Sequence, residues 1–100
     1  MVAKKLQPVH PGEILQHEFI KPMGLTQNKL AQELHVPARR INEIALGKRS
    51  ITADTALRLS LYFKNSPQFW LGLQMDYDLD IAEDKMEERI KKEIRPRMVI

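Results

Sequence analysis

The sequence predicts an all-α fold, a compact five-helix domain with an additional amphipathic helix at its C-terminal end. Three observations lead there. Apolar side chains recur at three- and four-residue spacing in successive segments, which is the period of one helix face. Residues suited to starting or stopping helices stand between those segments: Pro11, Thr26, Pro37, Gly47, Thr52, Ser66 with Pro67, and Pro96. A chain of 100 residues with 43% hydrophobic content can build one modest core, leaving no room for a separate catalytic module.

In chain order, residues 1–9 have no periodicity and include Pro8, so a flexible arm is expected, with Lys4 and Lys5 in solvent. A domain over residues 10–82 follows. Pro11 suits a first helical turn, Glu13 complements the positive helix end, and Ile14, Leu15, Phe19 and Ile20 share a face. That helix should stop near Lys21, before Pro22. Met23-Gly24-Leu25 then turns the chain, with Leu25 stapled against the next helix. From Thr26 as N-cap, Leu30, Ala31 and Leu34 form one apolar stripe; His35 stands at a corner where a positive φ is expected. Pro37 is expected at the first position of a second short helix, whose buried face is Ile41 and Ile44 and whose left-handed terminus is Gly47.

Thr52 should cap a fourth helix reaching Phe63, with Ala56, Leu57, Leu59, Leu61 and Phe63 packed inward and Asp54 and Arg58 forming a surface ion pair. Asn65 is expected as its left-handed terminus, with Ser66 capping and Pro67 opening a fifth helix. This fifth helix is apolar nearly all round, more than one small domain can cover, which places Phe69, Trp70, Leu73 and Met75 at a dimer seam. Trp70 is expected to be structural. Residues 83–100 read as a helical extension: Met86, Ile90 and Ile94 repeat every four residues, with Glu87–Lys91 and Glu88–Lys92 as supporting ion pairs up to Arg95.

The Thr26–Ser50 stretch has the spacing of a helix-turn-helix, in which the second helix enters the major groove of DNA. Its outward positions would be Ala38, Arg39, Asn42 and Glu43, with Arg40 on the flank; Arg39 and Asn42 suit base edges. Gln27 opens the first helix where backbone N–H groups can meet a phosphate, and Lys48, Arg49 and Ser50 follow the second. Charge supports this polarity. Residues 1–52 carry eight Lys/Arg against four Asp/Glu, a net of +4, whereas residues 76–100 carry six against eight, a net of −2. Double-stranded DNA is the expected partner, read as an inverted repeat by a homodimer, because one short motif alone selects weakly.

Other chemistries are disfavoured. Zero Cys excludes a disulfide framework and a Cys-based zinc site, and His10, His17 and His35 share no ligand spacing. Asp76, Asp78, Asp80 and Glu87 mimic calcium-loop spacing, but Ile81 occupies the position that needs Gly. No cofactor, metal or catalytic residue is expected. Apolar runs are too short to span a membrane and the N-terminus lacks a signal-peptide core, so a soluble cytoplasmic protein is expected.

Three stretches carry a family resemblance: HPGEIL at 10–15, GLTQNKLAQELHVPARRINEIALGKRSITADTALRLSLYF after it, and SPQFWLGLQMDYDL ending at Leu79. Together, over roughly two thirds of the chain, they resemble the HigA-type antitoxins, or virulence-associated protein I family, among the lambda-repressor-like XRE regulators. The resemblance implies an antitoxin of a type II toxin-antitoxin module that represses its own operon and neutralises a HigB-type toxin, an mRNA endoribonuclease. The alternative is a stand-alone phage-type or metabolic repressor with no toxin partner.

Overall fold

The computed structural model describes residues 7–98 and is helical throughout, with no strand among the described residues. Helix α1 starts as an α-helical turn at Pro11–Ile14 and continues with wider π-type winding over Leu15–Ile20. Then follow α2 (Gln27–Leu34), α3 (Ala38–Ala45), α4 (Ala53–Phe63) and α5 (Pro67–Glu93). The i→i+5 bonding of the π segment brings residues five apart onto one face, so Leu15 and Ile20 are both fully buried.

The helix ends obey a common rule. At Gly24, His35, Gly47 and Lys64 the backbone is left-handed, and the next residue's N–H reaches back to a carbonyl five positions earlier, as in Leu25 to Ile20, Val36 to Ala31, Lys48 to Glu43 and Asn65 to Ser60. His35, at φ 58°, has the conformation expected of the corner. The fourth terminus differs from expectation: Lys64, not Asn65, is left-handed, and Asn65 instead accepts a hydrogen bond from the Trp70 indole at 2.9 Å. Two caps also differ. Pro37 is the extended N-cap of α3 rather than its first residue, and Thr52 has N-cap geometry but its hydroxyl makes no cap bond. Thr26 and Ser66 do cap, accepting from Lys29 and Phe69 N–H groups at 3.0 Å each.

One core joins the helices. Leu15, Ile20, Leu30, Leu34, Ile41, Ile44, Ile51, Ala56, Leu59 and Trp70 are its main members, and Leu25 packs on its edge. Trp70 is wholly buried among Phe19, Phe63 and Phe69, with ring centroids 4.9, 6.2 and 5.0 Å away. It is therefore a core residue of its own chain and offers no surface to a dimer partner, which corrects its place in the expected seam. The α4 face also needs correction. Leu57 and Leu61 are exposed, Leu61 by 81%, because residues two apart cannot share a helix face with Leu59; Thr55, Ala56, Leu59 and Ser60 point inward instead.

The C-terminal amphipathic segment is the second half of α5 and not a separate helix, since residues 73–93 contain no Gly or Pro to interrupt it. At 27 residues α5 is about 40 Å long. Ile81 and Ala82 are half-buried, and from Glu83 to Met98 every side chain is exposed. The projecting half explains a radius of gyration of 17.1 Å, against about 13 Å for a compact chain of this length. Of the expected arm, residues 1–6 lie outside the described residues, Lys4 and Lys5 with them, whereas Gln7–Val9 line a hollow against Ile14 and the Leu73–Asp80 part of α5.

Candidate nucleic-acid interface

The outward face of α3 is set by its inward one. Ile41 and Ile44 are fully buried, so the 100° helical step turns Arg39, Asn42 and Glu43 to the opposite side, whereas Ala38, expected among them, is about 60° from Ile41 around the helix and packs half-buried against the core. Arg39 is the most prominent, with its side chain 82% exposed. Leu46 continues this face past Asn42 and is 68% exposed, an apolar group in a position suited to a thymine methyl. It was not foreseen, because a leucine reads as core until its neighbours are placed. Lys48, Arg49 and Ser50 are all exposed immediately beyond, in the loop that leads to Ile51.

Three contacts fix α3 relative to the rest. At its C-terminal end Gly12 of α1 lies so close that a Cβ there would sit 1.8 Å from the Ile44 carbonyl oxygen. His10 caps α1, its Nδ1 accepting the Gly12 N–H at 2.9 Å, and its ring lies 3.7 Å from where a Gly47 Cβ would be. Burial pushes the His10 imidazole pKa down, opposed by Asp78 and Glu13. The loop after α3 is held from below: buried Gln74 of α5 accepts the Ile51 N–H at 2.8 Å and donates to Asp78 at 2.9 Å. Neither Gly12 nor Gln74 carried a signal visible in sequence, since both act through residues more than twenty positions away.

Arg40 does not join the outward set in this conformation. It pairs with Asp54 of α4, which also accepts from Arg58 Nε at 3.0 Å, while Arg58 Nη1 donates to the Leu34 carbonyl at 2.9 Å. The Asp54–Arg58 pair expected on the surface is thus part of a bridge from α3 through α4 to the last carbonyls of α2. The two guanidiniums, Arg58 first, hold the Asp54 carboxyl below its ordinary range. Gln27 is oriented too, donating from Nε2 to Gln16 Oε1 at 2.8 Å. Beside it an open groove runs between the start of α2 and the start of α3, with Ala31, Val36 and Ala38 on its apolar side and Thr26, Asn28, Lys29 and Gln32 as polar groups of the kind that contact a nucleic-acid backbone.

Of the residues expected at the site, Arg39, Glu43 and Arg49 are joined by ion pairs, half-buried Asn42 shares their face of α3, and Lys48 and Ser50 are exposed on either side of Arg49; Ala38 packs against the core, Gln27 opens α2 and Arg40 is turned to Asp54. The acidic quartet Asp76, Asp78, Asp80 and Glu87 lies inside unbroken α5, where no loop gathers it around a cation. Among the described residues no helix is long and apolar enough to cross a membrane.

Comparison with known proteins agrees with this geometry. The helix-turn-helix family HTH_3 matches residues 17–70. Virulence-associated protein I of Dichelobacter nodosus is 54% identical over 79 residues, 79% of this chain and 73% of that protein. The Pseudomonas aeruginosa antitoxin HigA, solved with the higBA promoter, superposes with a TM-score of 0.87 at 42% identity, covering 91% of this chain and 99% of that one. Antitoxin GraA in complex with its operator gives 0.88 at 36% identity, covering 99% and 100%. From the matched motif and these relatives over nearly the whole length, the chain belongs to the helix-turn-helix family that includes virulence-associated protein I and the HigA antitoxins.

Proposed function

We propose that this protein is a cytoplasmic antitoxin-repressor that acts by binding and not by catalysis. It occupies an inverted-repeat operator at its own operon and neutralises a HigB-type endoribonuclease. The observation that carries the DNA-binding half is the α3 surface: an exposed Arg39 beside Asn42 on a helix held at its C-terminal end, followed at once by the exposed Lys48–Arg49 loop. Arg39 has the donors for guanine O6 and N7, Asn42 has the donor and the acceptor that match adenine N7 and N6, and Lys48 and Arg49 suit phosphates. Two relatives of the same fold were solved with a promoter or an operator, which supports double-stranded DNA as the partner. The toxin half rests on the family alone.

Two copies are joined, in this reading, along α5. Leu71, Met75, Leu79, Met86 and Ile90 are exposed along it at near-helical spacing, whereas Phe69 and Leu73 turn away from this stripe, Leu73 packing on the core and Phe69 against Phe19 and Trp70, so of the expected seam Met75 alone lies on it. Its charge is polarised: residues 76–84 contain five acidic and no basic side chains, and residues 85–97 six basic and three acidic. An antiparallel two-fold pairing sets acidic against basic halves.

The test is binding to the DNA preceding the gene against a scrambled duplex of equal length, with co-expression and pull-down of the neighbouring small open reading frame's product. Selective binding with capture of the neighbour is expected. Selective binding without a neighbouring toxin gene would leave a stand-alone repressor, and no selectivity would refute the DNA-reading assignment.

A further inference from the structure

Glu43 is the only acidic side chain on the outward face of α3, where a carboxylate confronts the phosphates of any DNA that docks. Its surroundings show what it does in the free protein. Arg39 Nε donates to Glu43 Oε2 at 2.8 Å, and Arg49 donates to Oε1 from Nε at 2.9 Å, with its Nη2 2.8 Å from the same oxygen. Each carboxylate oxygen thus holds one arginine. The hydrogen bond from Arg39, followed by the charges of both arginines, keeps the Glu43 carboxyl below its ordinary range, so the clamp is charged at neutral pH.

The two arginines are held differently. Arg39 is gripped only through Nε, and among the described residues nothing else bonds its guanidinium. That grip engages the side edge of the guanidinium and leaves its end edge, one N–H from each terminal nitrogen, for the bidentate contact that guanine requires. Arg49 is held along its side edge, with Nε and Nη2 both against Oε1, so its charge is offset by the carboxylate and its side edge is not available to a phosphate.

We infer that Glu43 is a positioning residue that sets sequence selectivity: it orients Arg39 for a base edge while withholding Arg49 from phosphates and repelling DNA that offers no matching base. The consequence is weaker binding everywhere except at the operator. This rests on the proposed reading of α3 as the groove helix.

The experiment titrates the full-length protein and Glu43→Gln against operator and scrambled duplexes over a series of salt concentrations. Gln keeps the size and one hydrogen bond but removes the charge. The inference predicts tighter binding of Glu43→Gln to scrambled DNA, a log–log salt slope steeper by about 0.9 as Arg49 gains a phosphate, and an operator-to-scrambled ratio narrowed by about tenfold, the size of one good base contact. The thermal unfolding midpoint should be unchanged, as for ordinary surface substitutions. In an Arg39→Ala background the same change should no longer alter selectivity beyond the phosphate effect, because the residue it orients is gone.

An unchanged ratio and salt slope in Glu43→Gln, with wild type selective, would overturn the inference alone. So would a preference switched at one base pair with scrambled binding unaltered, which would make Glu43 a direct reader of cytosine. A wild-type protein without operator preference would instead refute the reading beneath it.

Discussion

Replacing Gly12 by Ala adds one methyl group and should be among the most damaging small changes available to this protein. The added Cβ would stand 1.8 Å from the Ile44 carbonyl oxygen, 2.7 Å from its carbon and 3.1 Å from the Ala45 Cα. All three are backbone atoms, so no rotamer change relieves the contact. Restoring van der Waals separation requires α1 and the end of α3 to part by about 1.5 Å, and such overpacking costs about 1–3 kcal/mol. For a domain of this size that is roughly 4–8 °C of melting temperature per kcal/mol. Gly72→Ala is the matched control: it lies within α5, nothing stands within 4 Å of its Cβ, and it should stabilise by about 0.4–1 kcal/mol. Urea titration of both variants, with operator binding measured on the folded fraction, separates the cases. Opposite signs are expected, with Gly12→Ala also losing operator affinity because α3 loses its end support. Equal stability of Gly12→Ala and wild type would refute the packing of α1 against α3.

Other outcomes follow from the same structure. Trp70→Ala should cost about 3–5 kcal/mol in a urea titration, since it empties a wholly buried site and strands the Asn65 acceptor; a stable variant lacking only a binding activity would place the indole in a recognition site. Arg39→Ala should weaken operator binding by roughly 10- to 100-fold and relax preference at one base pair, whereas Lys48→Ala should weaken all sequences alike and flatten the salt dependence; equal losses on operator and random DNA would remove Arg39 from base reading. For His10, whose folded-state pKa lies below its ordinary value, the folded protein binds fewer protons than the unfolded one. Its stability contribution is therefore complete above about pH 6.5 and is lost as pH falls below that value toward the depressed folded pKa, where Nδ1 can no longer accept the Gly12 N–H. His10→Asn, which keeps a capping acceptor that does not titrate, should show a smaller fall in urea midpoint between pH 7 and pH 5; an identical fall would assign the pH effect elsewhere.

What sequence could reveal was local. The 3.6-residue period, the Thr26 and Ser66 caps and the Gly47 terminus are properties of neighbouring residues, and each stands where the spacing puts it. The His35 corner was legible because few side chains tolerate a positive φ and His is among them. Lys64 was misjudged for the complementary reason: local preference favoured Asn65, but that side chain is drawn to the Trp70 indole. Density of leucines misled on α4, where counting hydrophobes overrode the geometry that turns Leu57 and Leu61 outward. The candidate site divides in the same way. The outward face of α3 follows from the period, while the ion pairs that disperse its arginines, Arg40 to Asp54 and Arg39 with Arg49 to Glu43, depend on side-chain reach in three dimensions.

The central claim, that two copies read an inverted repeat through α3, is tested most directly by hydroxyl-radical footprinting of the full-length protein on the DNA preceding its own gene. Two symmetric protected half-sites about 34–36 Å apart, or a multiple of one duplex turn, are predicted, both abolished together by Arg39→Ala. Protection of a single half-site, or uniform protection that is insensitive to Arg39→Ala, would contradict it.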